Sequence, residues 1–215
     1  MDKTMMRRFG QLQRLTANHP IDDLLTSDSK RPGSLFTGKR IVLRDEDYDR
    51  LLAEMRLTSP HVRHHRHLPH PPNSQVLRPQ VVTKSSWKVS EHVSVSVLKP
   101  NNVIKYRKDG KSHYAMIRQI YIIQNPTGGH EARFLANPIE DIFFKDRTSP
   151  SKHFRYIVHL LKCVIGQTKD TAIFISPAQV SVVAAYRLLP NNTFGIAEGG
   201  IVLRPCDKRS QYADL

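Results

Sequence analysis

From Trp87 to Val97 the chain alternates residue by residue, with Trp87, Val89, Glu91, Val93, Val95 and Val97 set against Ser86, Lys88, Ser90, His92, Ser94 and Ser96. A two-residue repeat of this kind marks a half-buried strand, because successive strand side chains point to opposite faces. Only Glu91 interrupts the apolar face. Beyond Pro100-Asn101-Asn102, the runs Val103–Lys108 and Ser112–Gln124 flank Asp109-Gly110. Asp-Gly between two strand-like runs predicts a tight hairpin, since both turn positions of the favoured turn need positive φ. The stretch Ser86–Gln124 therefore predicts a three-stranded antiparallel meander. Its third strand is apolar on both faces from Tyr114 to Ile123, which calls for cover on its outer side as well. A small closed or nearly closed barrel supplies that cover.

The other segments are placed around this unit. Residues 1–34 carry Met5, Met6, Phe9, Leu12 and Leu15 at roughly helical spacing among Arg7, Arg8 and Arg14, and read as a flexible N-terminal segment with a short amphipathic helix. A mitochondrial presequence looks similar, but Asp2, Asp22 and Asp23 oppose it, because such leaders are poor in acids. Residues 35–58 form a strand–helix unit: Arg40-Ile41-Val42-Leu43 as the strand, Asp45 as the helix cap, Glu46 and Asp47 in the first turn, and Tyr48, Leu51, Leu52 and Met55 as the buried stripe. That acidic cluster is explained by helix-start chemistry, since carboxylates are favoured at the positive end of the helix dipole. Residues 59–80, SPHVRHHRHLPHPPNSQVLRPQ, lack an apolar pattern and read as an exposed His/Pro-rich linker.

Residues 81–208 then make an antiparallel β-domain, with 209–215 as a tail. In it Glu131–Leu135 is a strand. Phe154–Ile165 fits a strand or a helix by spacing and is read as a strand with Thr171–Ile175 as its hairpin partner. Ser176-Pro177-Ala178-Gln179 opens about one helical turn, and Gly199–Arg204 is a closing strand. The fold class expected is mainly β, α+β overall, with a barrel-like antiparallel domain behind an N-terminal strand–helix unit.

Charge is the most telling bulk property. Lysine and arginine number 33 against 19 aspartate and glutamate, a net +14, and the sequence pI is near 10.0. Such an excess attracts polyanions, whether nucleic acid, acidic protein segments or an anionic surface. Mean hydropathy of -0.44 and the lack of any apolar run near the roughly 18 residues of a spanning helix oppose a membrane role. Two cysteines, Cys163 and Cys206, are too few for a disulfide framework or a zinc ribbon and fit a reducing compartment.

Candidate binding residues follow from charge and aromatic placement. Lys105, Arg107, Lys108, Lys111 and Arg118 gather around the expected hairpin tip, with Tyr106 and Tyr114 as possible stacking groups. The plainer alternative is a solvated turn. Trp87, Tyr106 and Tyr114 could instead line a peptide groove, although a lone Trp is more often core. His61, His64, His65, His67 and His70 suggest a metal, but no cysteine or carboxylate lies among them and Arg63 and Arg66 would repel a cation, so no metal is expected. His130-Glu131 has no second histidine at zincin spacing. No nucleophile elbow, P-loop or dinucleotide fingerprint is present, and Cys163 near His159 sits in an apolar run. The chain reads as a non-enzyme without cofactor. A pocket uniting His113, Asp141 and Cys163 would argue the other way.

The order of several pieces resembles a known family. GKRIVLRDEDYDRLLAEM, HYAMIRQIYII, ISPAQVSVVA and GIVLRPCDK, spread over about residues 35–208, resemble the C-terminal accessory region of Kyakuja, Dileera and Zisupton transposon proteins of mushroom-forming fungi. The chain departs from that pattern where Ala115-Met116-Ile117 replaces a Gly-Arg-Ile step, and where Ser181-Val182 stands for a Ser-His pair. The resemblance implies a non-catalytic accessory β-module of a transposon-related protein; with the cationic surface the expectation is a nuclear module that binds DNA or chromatin, the alternative being a protein-interaction domain of nuclear or cytoplasmic location. The segment Asn137–Asp141 after the strands also looks like part of a bromo-adjacent homology domain, a chromatin-reading module.

Overall fold

The computed structural model describes residues 38–72, 74–125, 129–142, 160–193 and 197–206. The expectations for residues 1–34, for Phe154–His159 and for the chain beyond residue 206 lie outside these described residues.

The long strands organise the molecule. β1 (Lys39–Val42) leads into helix α1 (Asp45–Thr58), and two short strands follow, β2 (Arg63–His64) and β3 (Val76–Leu77). Then come β4 (Gln80–Lys84), β5 (Ser86–Lys88), β6 (Ser94–Ser96), β7 (Val103–Lys108), β8 (Lys111–Gln124) and β9 (His130–Asp141). The described elements conclude with β10 (Val164–Thr168), β11 (Ile173–Ile175), a 3-10 turn (Pro177–Gln179), β12 (Val180–Leu189) and β13 (Gly200–Pro205). Strands β8-β7-β12-β13-β10-β9 close on themselves through the β8–β9 pairing, giving the expected antiparallel barrel of six strands. β8 and β9 run on past the barrel, where β4 and β1 extend the sheet on one side and β11 on the other.

Side-chain alternation divides the core into three clusters. Val103, Tyr114, Met116, Ile139, Val164, Ala184, Tyr186, Ile201 and Leu203 pack together, and since every barrel strand contributes, this cluster is the barrel interior. On the sheet extension, α1 lays Tyr48, Leu51, Leu52 and Met55 onto Val81, Tyr121, Ile123, Leu135 and Phe174. This is the stripe read from the sequence. The opposite face carries Ile104, Tyr106, Ala115, Ile117, Ile120, Ile122, Phe134 and Ile175, with Trp87, Val89, Val93 and Val97 packed against them. Both faces of β8 are thus covered, as its two-sided apolar run demands. Among the described residues no helix is long and apolar enough to cross a membrane.

Several local expectations are corrected. The Trp87–Val97 run is two strands folded on each other: β5 pairs β6 with Trp87 opposite Val95, and Val89 N–H donates to Val93 O at 2.8 Å. The polar centre Ser90-Glu91-His92 becomes the exposed turn, and because register places Trp87 and Val95 opposite each other, one alternation serves both arms. The outer edge of β7 is held instead by β12, through Val183↔Ile104, and β8 pairs β4 through Val82↔Ile122 as well as β9. β11 pairs β9, not β10, and β10 pairs β13 and β9. Both sit along one edge of β9 in succession. Asn137–Asp141 belongs to β9 itself rather than following the barrel. Helix α1 starts at Asp45, so the cap position falls on Arg44, which makes no side-chain cap bond.

The segment 59–80 is not an exposed linker throughout. Val62 and Leu77 are buried in the α1 cluster, and β2 and β3 pair in parallel. Tyr48 Oη donates to Leu77 O at 2.8 Å and accepts from the His65 amide at 3.2 Å, while Arg66 grips Asp45 at 2.8 and 3.1 Å. Two apolar anchors near its ends hold the segment, which is why no periodicity announces it.

Candidate functional site

The Asp109-Gly110 turn is formed as expected. Asp109 has φ 50° and Gly110 φ 74°, and Lys108 stands directly opposite Lys111. Register shows how far the hairpin reaches. β7 is paired to β12 only back from Tyr106, and β8 to β9 only onward from Tyr114. Residues 107–112 therefore continue as a two-stranded ribbon paired only to itself, and all of them are exposed. Among the described residues Arg107, Lys108 and Lys111 form no ion pair. The charge of Lys108 reaches Glu54, which Arg133 holds.

The remaining predicted residues separate. Lys105 is half-buried on β7. Arg118 is not at the tip: it lies in a β-bulge between Ile117 and Gln119 and lines a cleft of about 500 Å³ with Arg44, Arg50, Tyr121 and Asp170. A bulge re-aims the side chain of its extra residue. Tyr106 and Tyr114 lie on opposite faces of the hairpin, Tyr106 buried in the cluster outside the barrel and Tyr114 against the barrel interior. Trp87 packs with Tyr106 in the outer cluster, with Lys84 Nζ 5.6 Å from its ring centre. The three aromatics therefore do not line one groove.

The histidines form a stack rather than a chelate. His64 stacks on His65 and His67 at 4.8 and 4.7 Å, Tyr48 meets the first two edge-on, and His64 Nε2 lies 3.5 Å from Asp49. Burial lowers the His65 pKa, with the charge of a protonated His64 and of Arg66 acting the same way. No group of three or more His, Cys, Asp or Glu among the described residues could hold a metal.

Sequence reading missed Arg133. It is buried on β9 between Glu131 at 2.9 Å and Glu54 of α1 at 3.4 Å. Burial raises the Glu54 pKa, opposed by the Arg133 charge. The pairing ties helix to sheet. No local signal marks it, since Glu54 and Arg133 are far apart in the chain. A second cleft, of about 270 Å³, is lined by Glu140, Asp141, Thr168 and Lys169. Neither cleft contains His113 or Cys163.

No family model matches the sequence, no curated protein is similar to it, and no solved structure matches its fold.

Proposed function

We propose that this protein is a non-catalytic accessory module that binds nucleic acid, on DNA or in chromatin, through the β7–β8 hairpin. One observation carries the reading: the ribbon presents Arg107, Lys108 and Lys111 exposed and in no ion pair among the described residues, while Glu54, whose charge Lys108 feels, is held by Arg133. Lys108 opposite Lys111 costs stability, because like charges facing each other across a ladder repel. The net charge of +14 supplies the long-range attraction. The transposon setting and the nuclear location rest on the order of motifs described above.

The test is fluorescence anisotropy with a labelled DNA duplex across a salt series. Each phosphate contact releases counterions and adds about 0.9 to the slope of log affinity against log salt. Replacing Arg107, Lys108 and Lys111 together by Ala should make the slope shallower by roughly 2.7 units. A parent protein without salt-dependent binding, or a triple variant with the parent's slope, would overturn the reading and leave a protein-interaction domain as the better one.

A further inference from the structure

We infer that the hairpin takes double-stranded nucleic acid, entering the major groove as a two-stranded ribbon, in preference to a single strand. The inference rests on the nucleic-acid reading above and adds the class of ligand.

Reach comes first. Pairs Arg107↔Ser112 and Lys108↔Lys111, with the turn beyond them, have no ladder partner in β12 or β9. At about 3.4 Å per residue, the projection is roughly 10 Å. The major groove of B-form DNA is about 12 Å wide and 8.5 Å deep and admits a two-stranded ribbon. The tip is long enough to touch the floor while the sheet behind it stays outside.

Charge placement agrees with that pose. Lys108 and Lys111, being directly opposite, share one face of the ribbon, and Arg107, the neighbour of Lys108, points to the other. Cations on both faces suit a ribbon flanked by two phosphate-lined walls. Asp109 sits at the apex, where it would repel a phosphate laid across the tip. At the floor of the groove the same carboxylate meets base edges, and cytosine offers an amino donor there.

Stacking groups are missing where a single strand would need them. Proteins that hold single strands stack bases on exposed aromatic rings. Here Tyr106 is only 4% exposed, Tyr114 packs on the barrel interior, and Trp87 belongs to another hairpin and to the outer core cluster. The exposed ring next to the tip is His113, and it lies against Tyr106 with centroids 5.6 Å apart.

The experiment measures full-length protein against a 20-base-pair duplex, the matching single strand and heparin at one salt concentration, then repeats the duplex titration with a major-groove or a minor-groove ligand present. The duplex should bind about tenfold more tightly than the single strand, since backbone attraction alone is weaker there and no stacking compensates. The major-groove ligand should compete and the minor-groove ligand should not. Lys108→Glu should reduce duplex binding more than tenfold, while its melting temperature shows that the fold survives. Equal binding of single strand and duplex, or competition by the minor-groove ligand alone, overturns the inference while leaving polyanion binding standing. Failure to bind any of the three polyanions overturns the underlying reading too.

Discussion

Gly166 offers the sharpest test of the barrel's closure. It is buried in β10 between Ile201 of β13 and Asp141 of β9. A Cβ built there would lie 2.6 Å from Ile139 Cγ2 and 2.7 Å from the Glu140 carbonyl oxygen. The isoleucine methyl can swing aside. The carbonyl cannot, because it belongs to a strand held in register on both edges. Gly166→Ala must therefore push β10 away from β9, and overpacking of that kind costs about 1–3 kcal/mol. In a domain of this size each kcal/mol moves the melting temperature by roughly 2–4 °C, so a drop of about 2–12 °C is expected in thermal unfolding followed by circular dichroism. Two other glycines separate crowding from backbone conformation. Gly129 has nothing within 4 Å and no positive φ, so Gly129→Ala should stay within about 0.5 kcal/mol of the parent. Gly110 is equally open but sits at φ +74°, so its alanine variant should lose about 1 kcal/mol through conformation alone. If Gly166→Ala melts with the parent, β10 is not clamped between β9 and β13 as described.

The buried arginine and the histidine stack give two further expectations. Arg133→Leu leaves Glu54 and Glu131 facing each other without their cation, which should cost about 3 kcal/mol at pH 7.5 in urea unfolding. Burial raises the Glu54 pKa, so its neutral form favours the folded state, and the variant should recover stability as pH falls toward the ordinary carboxylate range. Burial lowers the His65 pKa, so the folded state binds fewer protons than the unfolded chain below about pH 6.5. Melting temperature should therefore decline as pH falls from about 6.5 toward the lowered folded value, and His65→Gln should flatten that decline. A pH-independent melting temperature over this window, or an unchanged slope in the variant, would contradict the assignment.

How much of the fold was legible depended on whether a signal was local. Asp109-Gly110 specifies its turn by two backbone angles, so the hairpin was found at the right residues. The α1 stripe was readable because Tyr48, Leu51, Leu52 and Met55 repeat at helical spacing. Two-residue alternation, by contrast, states only which side chains share a face. It does not say whether the chain continues or doubles back. That is why Trp87–Val97 reads as one strand and folds as two, and why Thr171–Ile175 reads as the hairpin partner of Phe154–Ile165 although β11 pairs the edge of β9. Segment 59–80 defeated the reading for another reason. Its order comes from Val62, Leu77 and the Tyr48 hydroxyl, single contacts with no period.

The same distinction separates the candidate residues. Arg107, Lys108 and Lys111 were grouped because they flank a turn, and turn geometry keeps sequence neighbours together in space. Arg118 was grouped with them by proximity in the chain, but a strand carries each residue about 3.4 Å further from the tip, and the bulge at that point turns it into the cleft beside Arg44 and Arg50. Tyr106 and Tyr114 were grouped with Trp87 by composition. Parity decides their faces: Tyr106 lies opposite His113, so its neighbour Lys105 lies opposite Tyr114, and the two tyrosines point to opposite sides of the ribbon. One turns into the outer cluster and the other toward the barrel interior. The aromatic half of the sequence-derived site is thereby absorbed into the core. What remains on the ribbon is cationic, and the proposed preference for duplex over single strand rests on that remainder.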